Sequence, residues 1–205
     1  MEQNDFMVSL GFTDDKVPMG AHICQIYSDE DERTDALLKF LLQGLQTGER
    51  TACFSDDIDA QMLQDFFAPY NVSYNEYQQK QALTLAGTNA VYFQDNVFDP
   101  ERMLSTLAHY HQESLDLGFP AARLIGEMAP KIQDVSGGNR LVEYESRVSL
   151  LLKERPVTTV CQYNANVFDG ATIMDVLKVH PQMIVKGTVV YNPFYIPPEE
   201  FLKKI

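Results

Sequence analysis

Short apolar runs alternate with helical segments along the whole chain, and this alternation limits the possible fold more than any other feature. The first run is His22–Tyr27, and the leucines of residues 37–45 follow it at the spacing of a helix. Residues 157–163 are rich in β-branched side chains, which is typical of a central, buried strand. Strands that alternate with helices in this way predict an α/β fold with a mostly parallel central sheet and helices on both faces.

The pattern also predicts the remaining elements. A helix should begin after Ser28, with Asp31 completing a capping box, and a long helix should open at Asp99 and Pro100. Asp169 is expected to cap a short helix. Further strands are predicted at 51–54, 123–128 and 183–191, a hairpin or one bulged strand at 82–85 and 91–93, and other helices at 58–70 and 139–154.

Size and composition favour one globular domain. With 205 residues, of which 45% are hydrophobic and 22% charged, the chain can bury a core without disulfides or a structural metal. No repeat, low-complexity stretch or linker divides it. Residues 1–205 are therefore predicted to form a single domain, with its core at about 15–203.

The formal net charge of −13 restricts the partners of the chain. Phosphate backbones and anionic lipids repel such a polyanion, so nucleic acid and membrane surfaces are not expected partners. No apolar run approaches the ~20 residues of a membrane span. Residues 1–5 lack the features of a signal peptide, so a cytoplasmic location is expected. The three cysteines form no Cys-x-x-Cys pair and are expected to be free thiols.

The segment after the first strand argues against nucleotide hydrolysis. In α/β domains that hydrolyse nucleotides, a glycine-rich loop closing with Gly-Lys-Ser/Thr cradles the phosphates here. Residues 27–33 are instead Tyr-Ser-Asp-Glu-Asp-Glu-Arg, with neither glycine nor lysine. The four consecutive carboxylates suit a helix N-terminus but repel a polyphosphate. We therefore expect a domain without catalytic residues and without a cofactor.

Six segments, in this order, resemble the MEDS domain, the methanogen/methylotroph DcmR sensory family. They are Met-Gly-Ala-His-Ile-Cys at 19–24, Gly-Leu-Gln-Thr-Gly-Glu at 44–49, Gly-Glu-Met at 126–128, Cys-Gln-Tyr-Asn at 161–164, His-Pro at 180–181 and Asn-Pro-Phe-Tyr at 192–195. The resemblance implies a RecA/KaiC-like three-layer fold without a working phosphate loop. It also implies sensing of small molecules, with methylated or halogenated one-carbon compounds as the proposed ligands. Relatives often carry a kinase or helix-turn-helix module, whereas this sequence contains neither.

Three candidate ligand-binding residues lie where predicted strands end. Open α/β sheets bind ligands beyond the carboxyl ends of their strands, and Tyr27, Glu127 and Tyr163 are at such ends. The tyrosines could form aromatic walls for a small apolar ligand or simply pack in the core. Glu127 could bind a ligand, or its carboxylate could be hydrogen-bonded to neighbouring N–H groups, since burying it unpaired is costly.

Four further candidates are histidines and cysteines. His22 and Cys24 are two residues apart, so on a strand they share a face, and Cys161 from another strand could join them in a ligand, metal or redox site. Packing in the core is the alternative, because free cysteine is usually buried. His180 is a candidate mainly through the resemblance. No metal ion is predicted, because zinc needs three or four clustered ligands and the sequence indicates none.

Three functions remain open. The first is a small-molecule sensory domain that relays binding to a signalling partner, such as a histidine kinase or a transcription regulator, with a homo-oligomer possible. The second is a degenerate NTPase-like scaffold that holds a basic protein on its acidic surface. The third is an enzyme with Cys24 or Cys161 as nucleophile and His22 as base, which requires a lowered thiol pKa and a contact of ~3 Å.

Overall fold

The computed structural model describes residues 6–205. Residues 1–5, on which the prediction of no signal peptide rests, lie outside this range. The described chain contains a seven-stranded sheet and a separate two-stranded antiparallel ribbon. The ribbon consists of β1 (Met7–Ser9) and β2 (Lys16–Pro18). The strands of the sheet are β3 (His22–Tyr27), β4 (Arg50–Phe54), β5 (Leu83–Ala86), β6 (Ala122–Glu127), β7 (Val157–Asn164), β8 (Gln182–Val185) and β9 (Thr188–Tyr191).

The sheet is mostly parallel, as the alternating pattern predicts. Its spatial order is β5-β4-β6-β7-β3-β8-β9, and only β9 runs antiparallel to its neighbour. The β-branched strand β7 occupies the centre, between β6 and β3. The helices are α1 (Glu30–Gln46), α2 (Ala60–Phe67), α3 (Tyr74–Gln79), α4 (Thr88–Tyr92), α5 (Pro100–Asp116), α6 (Leu141–Glu154), α7 (Gly170–Val179) and α8 (Pro198–Phe201).

Helices cover both faces of the sheet and give each face its own core. On one face, the leucines of α1 pack with side chains of α2 and α3 and with Ile23, Ile125 and Val160 of the sheet. On the other face, α5, α6 and α7 pack on alternate residues of the same strands, with Leu107 and Val148 among their buried side chains. The predicted fold class, a three-layer α/β domain with a mostly parallel sheet, is confirmed.

Aspartates begin four of the helices: Asp29, Asp59, Asp99 and Asp169 each accept hydrogen bonds from backbone amides of the first turn. The prediction for α1 placed the cap one residue too early. Asp29 rather than Ser28 is the N-cap, and its carboxylate accepts from the amides of Asp31 at 2.9 Å and Glu32 at 3.0 Å. The acidic segment is therefore a well-capped helix start.

Two predicted strand regions have a different structure. Residues 91–93 do not pair with residues 82–85: they close α4, whose first amide, that of Thr88, donates to the carboxylate of Asp56 at 2.8 Å. Residues 183–191 form two antiparallel strands, β8 and β9. The turn between them places Lys186 and Gly187 at positive φ, which is the backbone of a tight hairpin. Among residues 6–205, no helix is long and apolar enough to cross a membrane.

Candidate functional site

The register of the sheet sorts the candidate residues onto its two faces. His22 pairs with Thr159 and Cys24 with Cys161, so these side chains share the face that α6 covers. Tyr163 lies two residues further along β7, on the same face. Tyr27 and Glu127 point to the opposite face, which α1 covers. The candidates therefore form two groups rather than one pocket at the strand ends.

On the α1 face, four side chains form the Glu127 cluster: Tyr27, Arg33, Ser55 and Glu127. The carboxylate of Glu127 accepts from the Tyr27 hydroxyl and from the Ser55 hydroxyl, each at 2.9 Å. The buried Arg33 guanidinium lies 3.6 Å from the same carboxylate and 2.8 Å from that of Glu30. Burial and the charge of Glu127 raise the pKa of Tyr27, so its hydroxyl stays a donor.

The Glu127 cluster lies at the carboxyl end of the sheet, where charged side chains of the chain itself take up the space. Arg33 is the last residue of the segment where a phosphate loop would lie, and its buried side chain supplies the cation beside Glu127. Glu127 therefore has hydrogen-bond partners on both oxygens, but they are the hydroxyls of Tyr27 and Ser55 rather than the N–H groups expected from the sequence. The sequence analysis noted the missing lysine but did not anticipate that Arg33 would turn inward.

On the α6 face, a second group forms the Glu145 cluster: His22, Glu145, Cys161 and His180. Its centre is the Oε2 atom of Glu145. That oxygen lies 3.2 Å from His22 Nε2, 3.6 Å from His180 Nε2 and 3.8 Å from Cys161 Sγ. The Cys161 sulfur is also 3.6 Å from His22 Nε2. All four ligand-type atoms lie within 4.8 Å of one another, so the set could hold a metal ion.

Neighbouring groups fix the orientation of the Glu145 cluster. The Nδ1 atom of His22 is 2.8 Å from the hydroxyl oxygen of Ser149, one helical turn beyond Glu145 on α6. The Nδ1 atom of His180 is 2.8 Å from the carbonyl of Val176, so His180 caps α7 as well. Tyr163 donates its hydroxyl to the second oxygen of Glu145 at 2.5 Å. These contacts aim both Nε2 atoms at one point.

Burial controls the protonation of the Glu145 cluster. It lowers the pKa of His22 to about 3 and that of His180 to about 3, so both imidazoles are neutral. Burial also raises the pKa of Glu145, although His180 and the Tyr163 hydroxyl act in the opposite direction. The pKa of the Cys161 thiol is raised well above its ordinary value by burial and by Glu145.

The raised thiol pKa bears on the hypothesis of a cysteine-dependent enzyme. The distance from Cys161 to His22 is close to what a nucleophile and its base require. A nucleophilic thiol, however, needs a lowered pKa, whereas burial raises the pKa of Cys161 and raises that of Cys24 to about 12. The environment of both thiols therefore disfavours nucleophilic catalysis.

A small cavity adjoins the Glu145 cluster. It has a volume of about 70 Å³ and lies between strands β6 and β7 and helices α5 and α6. Glu145, Cys161 and Tyr163 line one side of it, and the other walls are mostly apolar, with Leu107 and Val148 among them. The cavity is thus an apolar space with a few convergent polar groups, the usual composition of a small-molecule site.

A surface groove reaches the cluster from another direction. It has a volume of about 430 Å³, and it is lined by residues of the β2–β3 connection, α6 and the C-terminal segment, including His22, Ser149, Pro181 and Tyr195. His22, a member of the cluster, therefore lies between the groove and the other three cluster residues, and its side chain is itself buried.

Comparison with known families matches residues 21–181 to MEDS, the MEthanogen/methylotroph, DcmR Sensory domain. The chain belongs to the MEDS family. All four residues of the Glu145 cluster lie inside the matched segment, and so does the whole Glu127 cluster. A search of the curated proteins found none that matches the chain.

Solved structures share the fold of this MEDS domain. The flagellar accessory protein FlaH from Methanocaldococcus jannaschii has a TM-score of 0.64 at 10% identity, over 89% of this chain and 83% of FlaH. PH0321 from Pyrococcus horikoshii, solved in complex with an unknown peptide, has a TM-score of 0.58 at 16% identity, over 82% and 78%. The KaiC-like protein PH0186 of the same organism has a TM-score of 0.54 at 13% identity, over 81% and 70%. The predicted RecA/KaiC-like fold is confirmed.

The MEDS fold brings several of the candidate residues together around a residue that was not among the candidates. His22, Cys161, Tyr163 and His180 meet around Glu145, which the sequence analysis did not select. Cys24 is fully buried beside Cys161, in register with it, but is not one of the four cluster residues. The expectation of no metal site rested on the lack of clustered ligands, and the fold does assemble such a cluster. A sequence signal for Glu145 exists: it is a charged residue on the buried stripe of α6.

Proposed function

We propose that this MEDS domain senses a small, uncharged organic molecule that binds in the cavity between the sheet and helices α5 and α6. The cavity is the observation that carries this proposal. Its volume of about 70 Å³ is roughly half of the ~150 Å³ that accommodates benzene in an engineered core, so it suits a molecule of only a few heavy atoms. Methanol and dichloromethane are uncharged molecules of this size class.

The lining of the cavity supports an uncharged ligand. Its walls are mostly apolar, and the carboxyl of Glu145 is the one acidic group among them. Apolar walls favour carbon and halogen atoms, while Glu145, Cys161 and the Tyr163 hydroxyl offer polar contacts on one side. A phosphorylated or polyanionic ligand would be repelled by Glu145. One-carbon derivatives, the compounds that the family resemblance suggests, combine these properties.

Helix α6 is the element that would transmit binding. Glu145 and Val148 face the cavity, whereas Glu143 and Arg147 of the same helix are partly exposed. A ligand that contacts the inner face can shift the population of α6 positions and so change the surface that a partner contacts. The partner in this proposal is a separate histidine kinase or transcription regulator, in the cytoplasm.

A binding experiment with a matched pair of variants tests the proposal. The full-length chain is screened by calorimetry and by ligand-observed NMR against methanol, dichloromethane and formamide. Val148→Phe places a ring into the cavity, and Val167→Phe makes the same change at an exposed position that does not line it. We expect one of the compounds to bind the wild type and Val167→Phe, and binding to be lost in Val148→Phe. Binding that Val148→Phe retains, or no binding at all by the wild type, would refute the proposal.

A further inference from the structure

The separations within the Glu145 cluster match those of a metal centre. Four of the six distances between its ligand-type atoms are 3.2, 3.6, 3.6 and 3.8 Å. Zinc–ligand bonds of about 2.0–2.3 Å at tetrahedral angles place neighbouring ligand atoms about 3.3–3.8 Å apart. The side chains therefore already have nearly the spacing that a bound ion requires, although they come from β3, α6, β7 and the end of α7.

A metal centre requires that each histidine carry its ring proton on the nitrogen that points away from the ion, and the contacts of His22 and His180 favour this arrangement. A carbonyl oxygen only accepts, so the 2.8 Å contact with Val176 fixes the ring proton of His180 on Nδ1. When the Ser149 hydroxyl donates to the carbonyl of Val179, at 3.3 Å, its oxygen accepts from Nδ1 of His22 at 2.8 Å. In that arrangement both Nε2 atoms are left with lone pairs. Such a second contact, from the remote ring nitrogen to a carbonyl or hydroxyl, is characteristic of metal-bound histidine.

The lone pairs of the cluster face one another without enough hydrogen atoms between them. Nε2 of His180 is buried and has no hydrogen-bond partner among the residues that the structure describes. It lies 3.6 Å from a carboxylate oxygen that His22 Nε2 also approaches. Burying a polar atom without a partner costs free energy, whereas a cation at this point would satisfy all four atoms at once.

From this geometry we propose that His22, Glu145, Cys161 and His180 form a binding site for a divalent transition-metal ion of the zinc type. One carboxylate and one thiolate neutralise the two positive charges, and the two neutral imidazoles add none, so the occupied site has no net charge. The protons displaced from Cys161 and Glu145 leave to solvent as the ion binds. Sulfur and nitrogen donors exclude Mg²⁺ and Ca²⁺, which prefer oxygen ligands.

Two spaces adjoin the proposed metal site. The surface groove is lined by His22 and Ser149, so on that side the His22 ring is the group between solvent and the rest of the cluster. Glu145 and Cys161 also line the small cavity, so an ion held by them lies next to any molecule bound there. The metal site does not depend on the proposed sensing function, because its test detects the ion and not an organic ligand.

Cobalt substitution tests the metal site directly. The full-length chain, with any affinity tag removed, is stripped with a chelator and titrated with Co²⁺ and Zn²⁺. We expect one Co²⁺ per chain, a thiolate-to-cobalt absorption band, and displacement by Zn²⁺ but not by Mg²⁺ or Ca²⁺. Cys161→Ala should lose the band, and Cys24→Ala, which removes the neighbouring buried thiol, should keep it.

A second variant guards against loss of folding. Glu145→Gln keeps the size of the side chain and removes its charge, so it should fold, as circular dichroism will show. It should bind Zn²⁺ about 100-fold more weakly, the upper end of the loss that follows removal of a supporting contact. Failure of the wild type to bind any equivalent of Co²⁺ or Zn²⁺ would overturn the proposal and would mean that the cluster shares protons only. Retention of the thiolate band in Cys161→Ala, or its loss in Cys24→Ala with the fold intact, would overturn it equally.

Discussion

Glu145 shows why the site could be predicted only in part from single residues. It lies on the buried stripe of α6 together with Leu141, Val148 and Leu152, where an apolar residue is usual. From the sequence, His22, Cys24 and Cys161 are candidates for a shared site, and His180 is a candidate mainly through the family resemblance. Whether they meet depends on the register of β3 with β7 and on where α6 crosses the sheet, and neither can be read from local patterns. A carboxylate on the apolar stripe of α6 is the sequence signal that could have indicated polar partners on the strands that this helix covers.

Ser149 is predicted to control metal affinity through His22. Ser149→Ala removes the acceptor that holds the Nδ1 proton of His22, and the loss of such a supporting contact typically weakens metal binding about 10–100-fold. Ser146→Ala is the matched control, because that serine is buried on the same helix and its hydroxyl has no partner among residues 6–205. Competition titration of Zn²⁺ against a chelator measures both. Equal affinities for the two variants would contradict the assignment.

The buried pair of Arg123 and Glu49 gives a prediction about stability. Arg123 is fully buried, donates to Glu49 at 2.8 Å and to the carbonyl of Phe40 at 3.1 Å, and stacks on the Phe40 ring. Arg123→Met leaves Glu49 buried without its cation, and we expect a loss of about 3–5 kcal/mol in the free energy of unfolding. Adding Glu49→Leu should recover part of it. Urea denaturation measures both, and a double variant no more stable than the single one would contradict this view.

At the scale of whole elements, the strongly periodic segments could be predicted and the short ones could not. β3 has the predicted bounds, and α5 begins at the predicted Asp99–Pro100 cap. Residues 91–93 form only a three-residue apolar run, which strands and helices share, and Asp56 from a distant loop decides for the helix. The turn of β8 and β9 was missed because Lys186-Gly187 is not one of the usual hairpin dipeptides.

The start of α1 gives a prediction at the element scale. Asp29→Ala removes an N-cap that accepts from two backbone amides, and this should lower the free energy of unfolding by about 1 kcal/mol. Ser28→Ala changes an exposed residue that does not cap the helix, and its effect should stay within about 0.5 kcal/mol. Chemical denaturation compares the two. A larger loss for Ser28→Ala would restore the capping box that the sequence suggests.

At the scale of the whole molecule, this MEDS domain has a RecA/KaiC-like sheet whose strand ends are occupied by its own side chains. At the carboxyl end of the strands, Arg33 and the hydrogen bonds of Glu127 fill the space with the chain's own groups. On the opposite face, among residues 6–205, the buried Nε2 atom of His180 has no hydrogen-bond partner, and it lies in the cluster around Glu145 next to the small cavity. The proposed ligand site is therefore between the sheet and α6 rather than at the strand ends.

Metal binding should stabilise the whole domain. Because the four ligands come from β3, α6, β7 and the end of α7, unfolding destroys the site, and zinc at 100 times its Kd adds about 2.7 kcal/mol. For a chain of this size, that corresponds to a rise in Tm of about 5–10 °C. Differential scanning calorimetry with zinc and with excess chelator measures the change. A Tm that is the same in both conditions would show that no ion binds preferentially to the folded chain.

Anomalous diffraction from a heavy-atom one-carbon compound locates the ligand site most directly. Crystals of the full-length chain are exposed to dibromomethane, and bromine is located at its absorption edge. We predict a bromine peak in the cavity between β6, β7, α5 and α6, in contact with Val148 and Cys161. Bromine beside Tyr27 and Glu127 at the ends of the strands, with no peak in the cavity, would contradict the account.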